Sequence, residues 1–256
     1  MLIHLRRTDE PTPAVHVGLA LAKRLGAWTS GLHVVAIAPA AFASPEAVAL
    51  QVHEADEMVD EAKARARWWL GELEARGLKG EWLVSQGDTV EVICHAARWS
   101  DLVVVERPQL NPDAPTGWGL VSRTVFGSAA PVVVVPDSVK NECTGARIVV
   151  AWNSSREAIR AIRGAMPLLA RAERVLVLEG DAVENPFGLR YLPKLDLRAW
   201  LARHDVDAEF RTFKPPAKER GAALLETARA ESADLIVMGA WGHSRITELV
   251  LGGTTR

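Results

Sequence analysis

Short β-branched apolar runs alternate with longer stretches of helical period along this chain, and near its middle the alternation starts afresh. Such an order predicts βαβ crossovers, which build a parallel sheet with helices on both faces. In the first half the expected strands are residues 2–5, 32–37, 82–84, 102–105 and 132–135, and the expected helices are 12–25, about 45–76 and 90–97. Pro45 after Ser44 is a start signal for the long helix and Gly77 stops it, as Gly26 stops the first. The polar, turn-rich stretch 137–145 reads as a linker. Strands are then expected at 147–152, 175–178, 208–213 and 235–238, with helices at 155–170, 195–203 and 222–230. Local text repeats too. Ala96-Ala97-Arg98 followed by Ser100-Asp101-Leu102-Val103-Val104-Val105 parallels Thr227-Ala228-Arg229 followed by Ala233-Asp234-Leu235-Ile236-Val237-Met238. The expectation is two tandem doubly wound parallel-sheet α/β domains, 1–141 and 146–256. The second is expected to lack its last helix and strand, since the sequence stops at Arg256 without a counterpart of strand 132–135, either because it is truncated there or because the domain has no such edge strand.

Composition narrows the function classes. The net charge of −2 supplies no field for nucleic acid or anionic lipid, so neither is an expected partner. Hydrophobic residues at 48% and charged residues at 24% exclude a disordered chain. Cys94 and Cys143 form no CxxC or Cys/His pattern, which suits a reducing cytoplasm; Cys94 is expected to be a small buried apolar residue on its helix, and Cys143 to be exposed in the linker. The N-terminus turns polar too early for a signal peptide, and no run reaches the roughly 18 apolar residues of a membrane helix. A cytoplasmic protein outside the membrane is expected. The charges between Glu54 and Arg67 read as the wet face of a helix.

Chemistry concentrates after the strand ending at Met238. There Gly239 and Gly242 are followed, after nine intervening residues, by Gly252, Gly253, Thr254 and Thr255. In an open parallel sheet ligands sit beyond the carboxyl ends of the strands, and glycine lets backbone N–H groups approach phosphate oxygens. A helix starting near Gly252 adds unpaired N–H groups that favour anions, and Thr254 or Thr255 can add a hydroxyl. Gly239 and Gly242 equally suit a tight turn or close helix packing. His243 and Ser244 suit either a phosphate contact or a helix cap with a solvated imidazole.

These residues resemble the universal stress protein family, whose nucleotide-binding members carry Gly-x2-Gly-x9-Gly-Ser/Thr after the fourth strand. Ile148-Val149-Val150-Ala151-Trp152-Asn153-Ser154-Ser155, followed by Arg156-Glu157-Ala158, resembles the family's first strand, turn and helix. Leu21-Ala22-Lys23-Arg24-Leu25-Gly26-Ala27 resembles the end of its first helix in the other half. The resemblance implies two Rossmann-like domains of the adenine nucleotide alpha hydrolase type and a stress-response role. It also implies binding of ATP or AMP, with Mg²⁺ as an optional companion and no covalent cofactor. Carried over residue by residue, Ala151 and Asn153 face base and ribose. Met238, Gly239, Gly242, His243, Ser244, Gly252, Gly253, Thr254 and Thr255 form the phosphate side. Asn153 replaces the family's Asp, and Gly253 stands where Ser or Thr is expected.

The first half matches less well. Gly117, Gly127 and Ser128 reproduce the second part of the motif, Ala114 replaces the first glycine, and Arg6 takes the place of the acidic residue. About eight extra residues, 106–113, precede this loop. A degenerate site of Arg6, Gly117, Gly127 and Ser128 is therefore the expectation, with nucleotide favoured in the second domain. Family members commonly pair final strands, so a homodimer through edge strands is expected. No GxxxxGK[ST], GxSxG or HExxH motif and no nucleophile with its base is found, so no catalytic residue is named and ATP hydrolysis is expected to be slow or nil. A ligand-free dimerising interaction protein with decayed sites is the alternative.

Overall fold

The computed structural model describes residues 1–36, 45–107, 119–139, 144–181 and 196–240, the side chains of 45–52 excepted. The chain divides into two compact units, Met1–Glu142 and Cys143–Arg256.

The first unit runs β1 (Leu2–Leu5), α1 (Pro13–Leu25), β2 (Thr29–Ala36), α2 (Pro45–Ala64), α3 (Ala66–Glu74), β3 (Gly80–Gly87), α4 (Thr89–Ala96), β4 (Val103–Arg107), α5 (Leu120–Gly127) and β5 (Val132–Pro136). Its five parallel strands are ordered β3-β2-β1-β4-β5. The second unit runs β6 (Arg147–Trp152), α6 (Arg156–Leu169), β7 (Arg174–Glu179), α7 (Leu197–Ala202), β8 (Ala208–Thr212), α8 (Arg220–Ala230) and β9 (Leu235–Met238), with its four described strands ordered β8-β7-β6-β9. Both are doubly wound. The central strands are buried on both faces, Leu2 to Leu5 and Val103 to Val105 completely, which is why they read as apolar runs, with the buried His4 as the one polar residue in these two. No described helix is long and apolar enough to cross a membrane.

The expected helix over 45–76 is in fact two. Trp82 of β3 donates its indole N–H to the Ala62 carbonyl at 2.8 Å, and the Arg65 N–H reaches the same carbonyl at 3.2 Å. That oxygen would otherwise accept from Ala66, so α2 ends and α3 starts in a new direction. Trp69 then fixes α3. It is wholly buried, its indole N–H donates to the Glu81 carbonyl at 2.8 Å, and its ring lies where a side chain on Gly31 would stand, 2.5 Å from the ideal Cβ. The charges between Glu54 and Arg67 lie on the exposed face, with Ala55 and Ala62 turned inward.

The aspartate shared by the repeated text has a visible task in the second unit. The Asp234 carboxylate accepts from Thr144 N–H (2.9 Å), Thr144 Oγ1 (3.2 Å), Ala146 N–H (3.1 Å) and Arg147 N–H (3.0 Å), tying the entry of β6 to the entry of β9. Burial alone would raise its pKa, but the N–H bonds from Arg147, Thr144 and Ala146 outweigh burial and hold it below the ordinary value. Asp234→Ala is expected to cost about 1.5 kcal/mol, the low end for bonds to a charged acceptor because the group is only half-buried. A depressed folded pKa means that the contribution is complete above the unfolded value and fades as pH falls through the folded one. The stability gap between parent and variant in urea should therefore be wide at neutral pH and narrow as pH falls below the ordinary carboxylate range.

Candidate functional site

In each sheet the strand order reverses beside the first strand: β1 lies between β2 and β4, and β6 between β7 and β9. Connections from the two neighbours leave on opposite faces there, opening a crevice at the carboxyl edge. In the second unit Ala151 and Met238 are register partners at that edge. Both pack on the apolar cluster of Val149, Leu176, Leu178, Leu224 and Ala228. The chain then turns sharply into α6. Asn153 Oδ1 accepts the Ser155 N–H at 3.2 Å, Ser154 is left-handed (φ 60°), and Ser155 Oγ accepts the Ala158 N–H at 3.1 Å. This Asx turn and serine cap aim the first turn of α6 at the crevice. The first N–H groups of any helix have no partner inside it, and here they belong to Arg156 and Glu157.

Gly239 lies directly against that turn. A Cβ on it would stand 2.6 Å from Ala158 N, 2.7 Å from the Glu157 carbonyl carbon and 2.9 Å from Glu157 Cβ. The close-packing role of this glycine is therefore real, and it is what sets the end of β9 beside the α6 N-terminus. The structure thus brings together Ala151, Asn153, Met238 and Gly239. Gly242, His243, Ser244, Gly252, Gly253, Thr254 and Thr255 lie outside the described residues.

The first unit shows the equivalent place in another state. β1 pairs β4 at Leu2 with Val103 and Ile3 with Val104, as β6 pairs β9 at Val149 with Ile236 and Val150 with Val237. On this register Arg6 is the counterpart of Asn153 and His4 that of Ala151. Glu106, following Val105, is the counterpart of Gly239 after Met238. Arg6 Nη1 donates to Glu106 Oε1 at 2.9 Å, with the Glu106 side chain 6% exposed and that of Arg6 42%. Beneath them His4 is buried, and burial first, then the nearby His33 and Arg6, pushes its imidazole down to about 4, so it is neutral at ordinary pH.

The remaining first-half residues are not brought to this place. Gly117 lies outside the described residues. Gly127 ends α5, and a Cβ there would stand 2.8 Å from Cys94 Sγ on α4, so it is a packing glycine. The Ser128 hydroxyl is engaged locally, donating to the Ala130 carbonyl at 2.8 Å and accepting its N–H at 3.2 Å. Because α5 carries the chain back from the carboxyl edge to the start of β5, Gly127 and Ser128 lie at the opposite edge from Arg6. The expected loop over this stretch is thus a helix. Its N-cap is Gly119. Nor is Glu106 part of an insertion: it lies inside β4, and the repeated text already aligned it with Gly239. Cys94 is half-buried rather than buried. It lines a pocket of about 430 Å³ with Val90, Glu91, Arg123, Phe126 and Gly127, and burial pushes its thiol up. Cys143 lies outside the described residues.

No family model and no curated protein matches this sequence. Solved structures do. A universal stress protein from Archaeoglobus fulgidus superposes on 98% of this chain and 89% of its own, with a TM-score of 0.67 at 17% identity. The fold is that of a tandem universal stress protein. A putative universal stress protein from Pseudomonas aeruginosa covers 98% of this chain and 87% of its own (TM-score 0.55, 15% identity). A protein of unknown function from the same species covers 98% and 88% (TM-score 0.58, 15% identity). Within this universal stress protein fold the two crevices differ: one presents glycine against a helix N-terminus, the other an ion pair. Among the described residues no group of three or more His, Cys, Asp or Glu side chains is placed to hold a metal ion.

Proposed function

We propose that the second unit binds an adenine nucleotide, ATP or AMP, at the carboxyl edge of β6 and β9. In this reading the chain serves a stress response as a cytoplasmic binding module. The observation that carries the proposal is Gly239 held against the first turn of α6. A backbone without a side chain, next to unpaired helix N–H groups and the positive end of the helix dipole, suits a phosphate. Asn153, with Oδ1 committed to the turn, offers its amide N–H₂ to ribose oxygens, where a carboxylate would accept from ribose hydroxyls. Ala151 and Met238 floor the crevice. Gly242, His243, Ser244, Gly252, Gly253, Thr254 and Thr255 complete the phosphate side, with Mg²⁺ accompanying ATP. Bound nucleotide would change a surface that a partner or second copy reads. β5, an edge strand with four consecutive valines, is the surface for pairing with a second copy.

Gly239→Val tests this. Its branched side chain has no room against Ala158 and Glu157, so the β9 end must move away from α6. ATP affinity, measured by calorimetry on the full chain, is expected to fall at least a hundredfold while circular dichroism stays unchanged. Unaltered affinity in a folded variant would remove Gly239 from the site. The alternative, an interaction protein with decayed sites, draws its support from the Arg6–Glu106 pair, and it predicts that ATP gives no heat with the parent protein either.

A further inference from the structure

We infer that in the first unit the Arg6–Glu106 ion pair fills the place that phosphate takes in the second, and so bars anionic nucleotide from that crevice. This extends the reading of the second unit just given. The two crevices match strand for strand, yet Glu106 stands where Gly239 does and Arg6 where Asn153 does. The connection length explains how a glutamate fits. Between β6 and α6 lie residues 153–155, and Gly239 touches the helix; between β1 and α1 lie residues 6–12, a longer connection that leaves space for the Glu106 side chain.

Electrostatics does the rest. The guanidinium that a phosphate would seek already holds a carboxylate at 2.9 Å. Glu106 Oε2 has no hydrogen-bond partner among the described residues, so its charge is balanced chiefly by Arg6. A phosphate drawing Arg6 away would strand a buried carboxylate and add a second negative charge beside it. The pair therefore makes nucleotide binding a property of one unit.

The test uses the full chain carrying Gly239→Val, so that the second crevice is closed, and titrates it with ATP. With Glu106 in place no binding is expected. Adding Glu106→Gln, or Glu106→Gly to copy the second unit, is expected to create one site per chain at least tenfold tighter than any residual binding, lost again on Arg6→Ala. Two results overturn the inference: ATP bound equally well with Glu106 present, or no gain in either variant when circular dichroism shows it folded. Should Glu106→Gly fail to fold, Glu106→Gln decides alone. Because the comparison is made with the second crevice closed, failure of the parent protein to bind ATP would count against that crevice and leave this outcome independent.

Discussion

Arg6→Ala is expected to lower the unfolding free energy of the first unit by about 3 kcal/mol, near the low end for breaking a buried ion pair. The reason lies in unequal exposure. Glu106 is almost wholly inside the protein, whereas Arg6 is close to half exposed, so deleting the arginine leaves a buried charge without its counter-ion. Water can replace only part of what the guanidinium supplies. The reverse change behaves differently: Glu106→Gln keeps an oxygen for Arg6 and leaves the arginine free to hydrate, and should cost less than about 1 kcal/mol. Urea unfolding of the two single variants and the double variant measures the coupling directly. A loss below about 1 kcal/mol for Arg6→Ala would mean that the carboxylate is hydrated and the pair is an ordinary surface one.

The second large effect is expected at Trp69. Trp69→Ala should cost about 4 kcal/mol, because the ring is wholly buried and its removal leaves a cavity that the sheet cannot close. Three contacts go at once: the packing over Gly31, the bond to the Glu81 carbonyl, and the tilted stacking on Trp82 at 6.0 Å. Trp69→Phe, which deletes mainly the N–H donor, should cost about 1–2 kcal/mol. Because the chain has two units, a single global midpoint would blur the effect. Hydrogen exchange in peptides covering β2 and β3 localises it. Protection lost there but kept in β6 and β7 is the expected pattern; protection unchanged throughout would show that Trp69 does not anchor α3.

Much of the architecture was legible because strands buried on both faces leave a plain trace. Arg147–Trp152 and Leu235–Met238 are read to the residue, since beyond Arg147 no polar position interrupts them. β3 was expected over three residues and spans Gly80–Gly87, because it is an edge strand whose Ser85 and Gln86 carry no apolar signal. The break at Arg65 was not legible locally, since an indole arriving from β3 causes it. Of the candidate site, the glycine after β9 and the asparagine turn were visible as types, while their juxtaposition with the α6 N-terminus required the fold. Gly127-Ser128 shows the opposite hazard: the same two letters that open a phosphate loop also close a helix packed on Cys94. Glu106 gives no local signal of its place, because a strand whose last residues are charged continues unseen beyond its apolar part.

One crevice, built by Gly239 and the first turn of α6, is proposed to hold an adenine nucleotide. Calorimetric titration of the full chain with ATP, and in parallel with AMP, tests it most directly. One nucleotide bound per chain, with that binding lost in Gly239→Val, is the expected result. Absence of both heat and thermal shift at millimolar nucleotide, in protein shown to be folded, would contradict it.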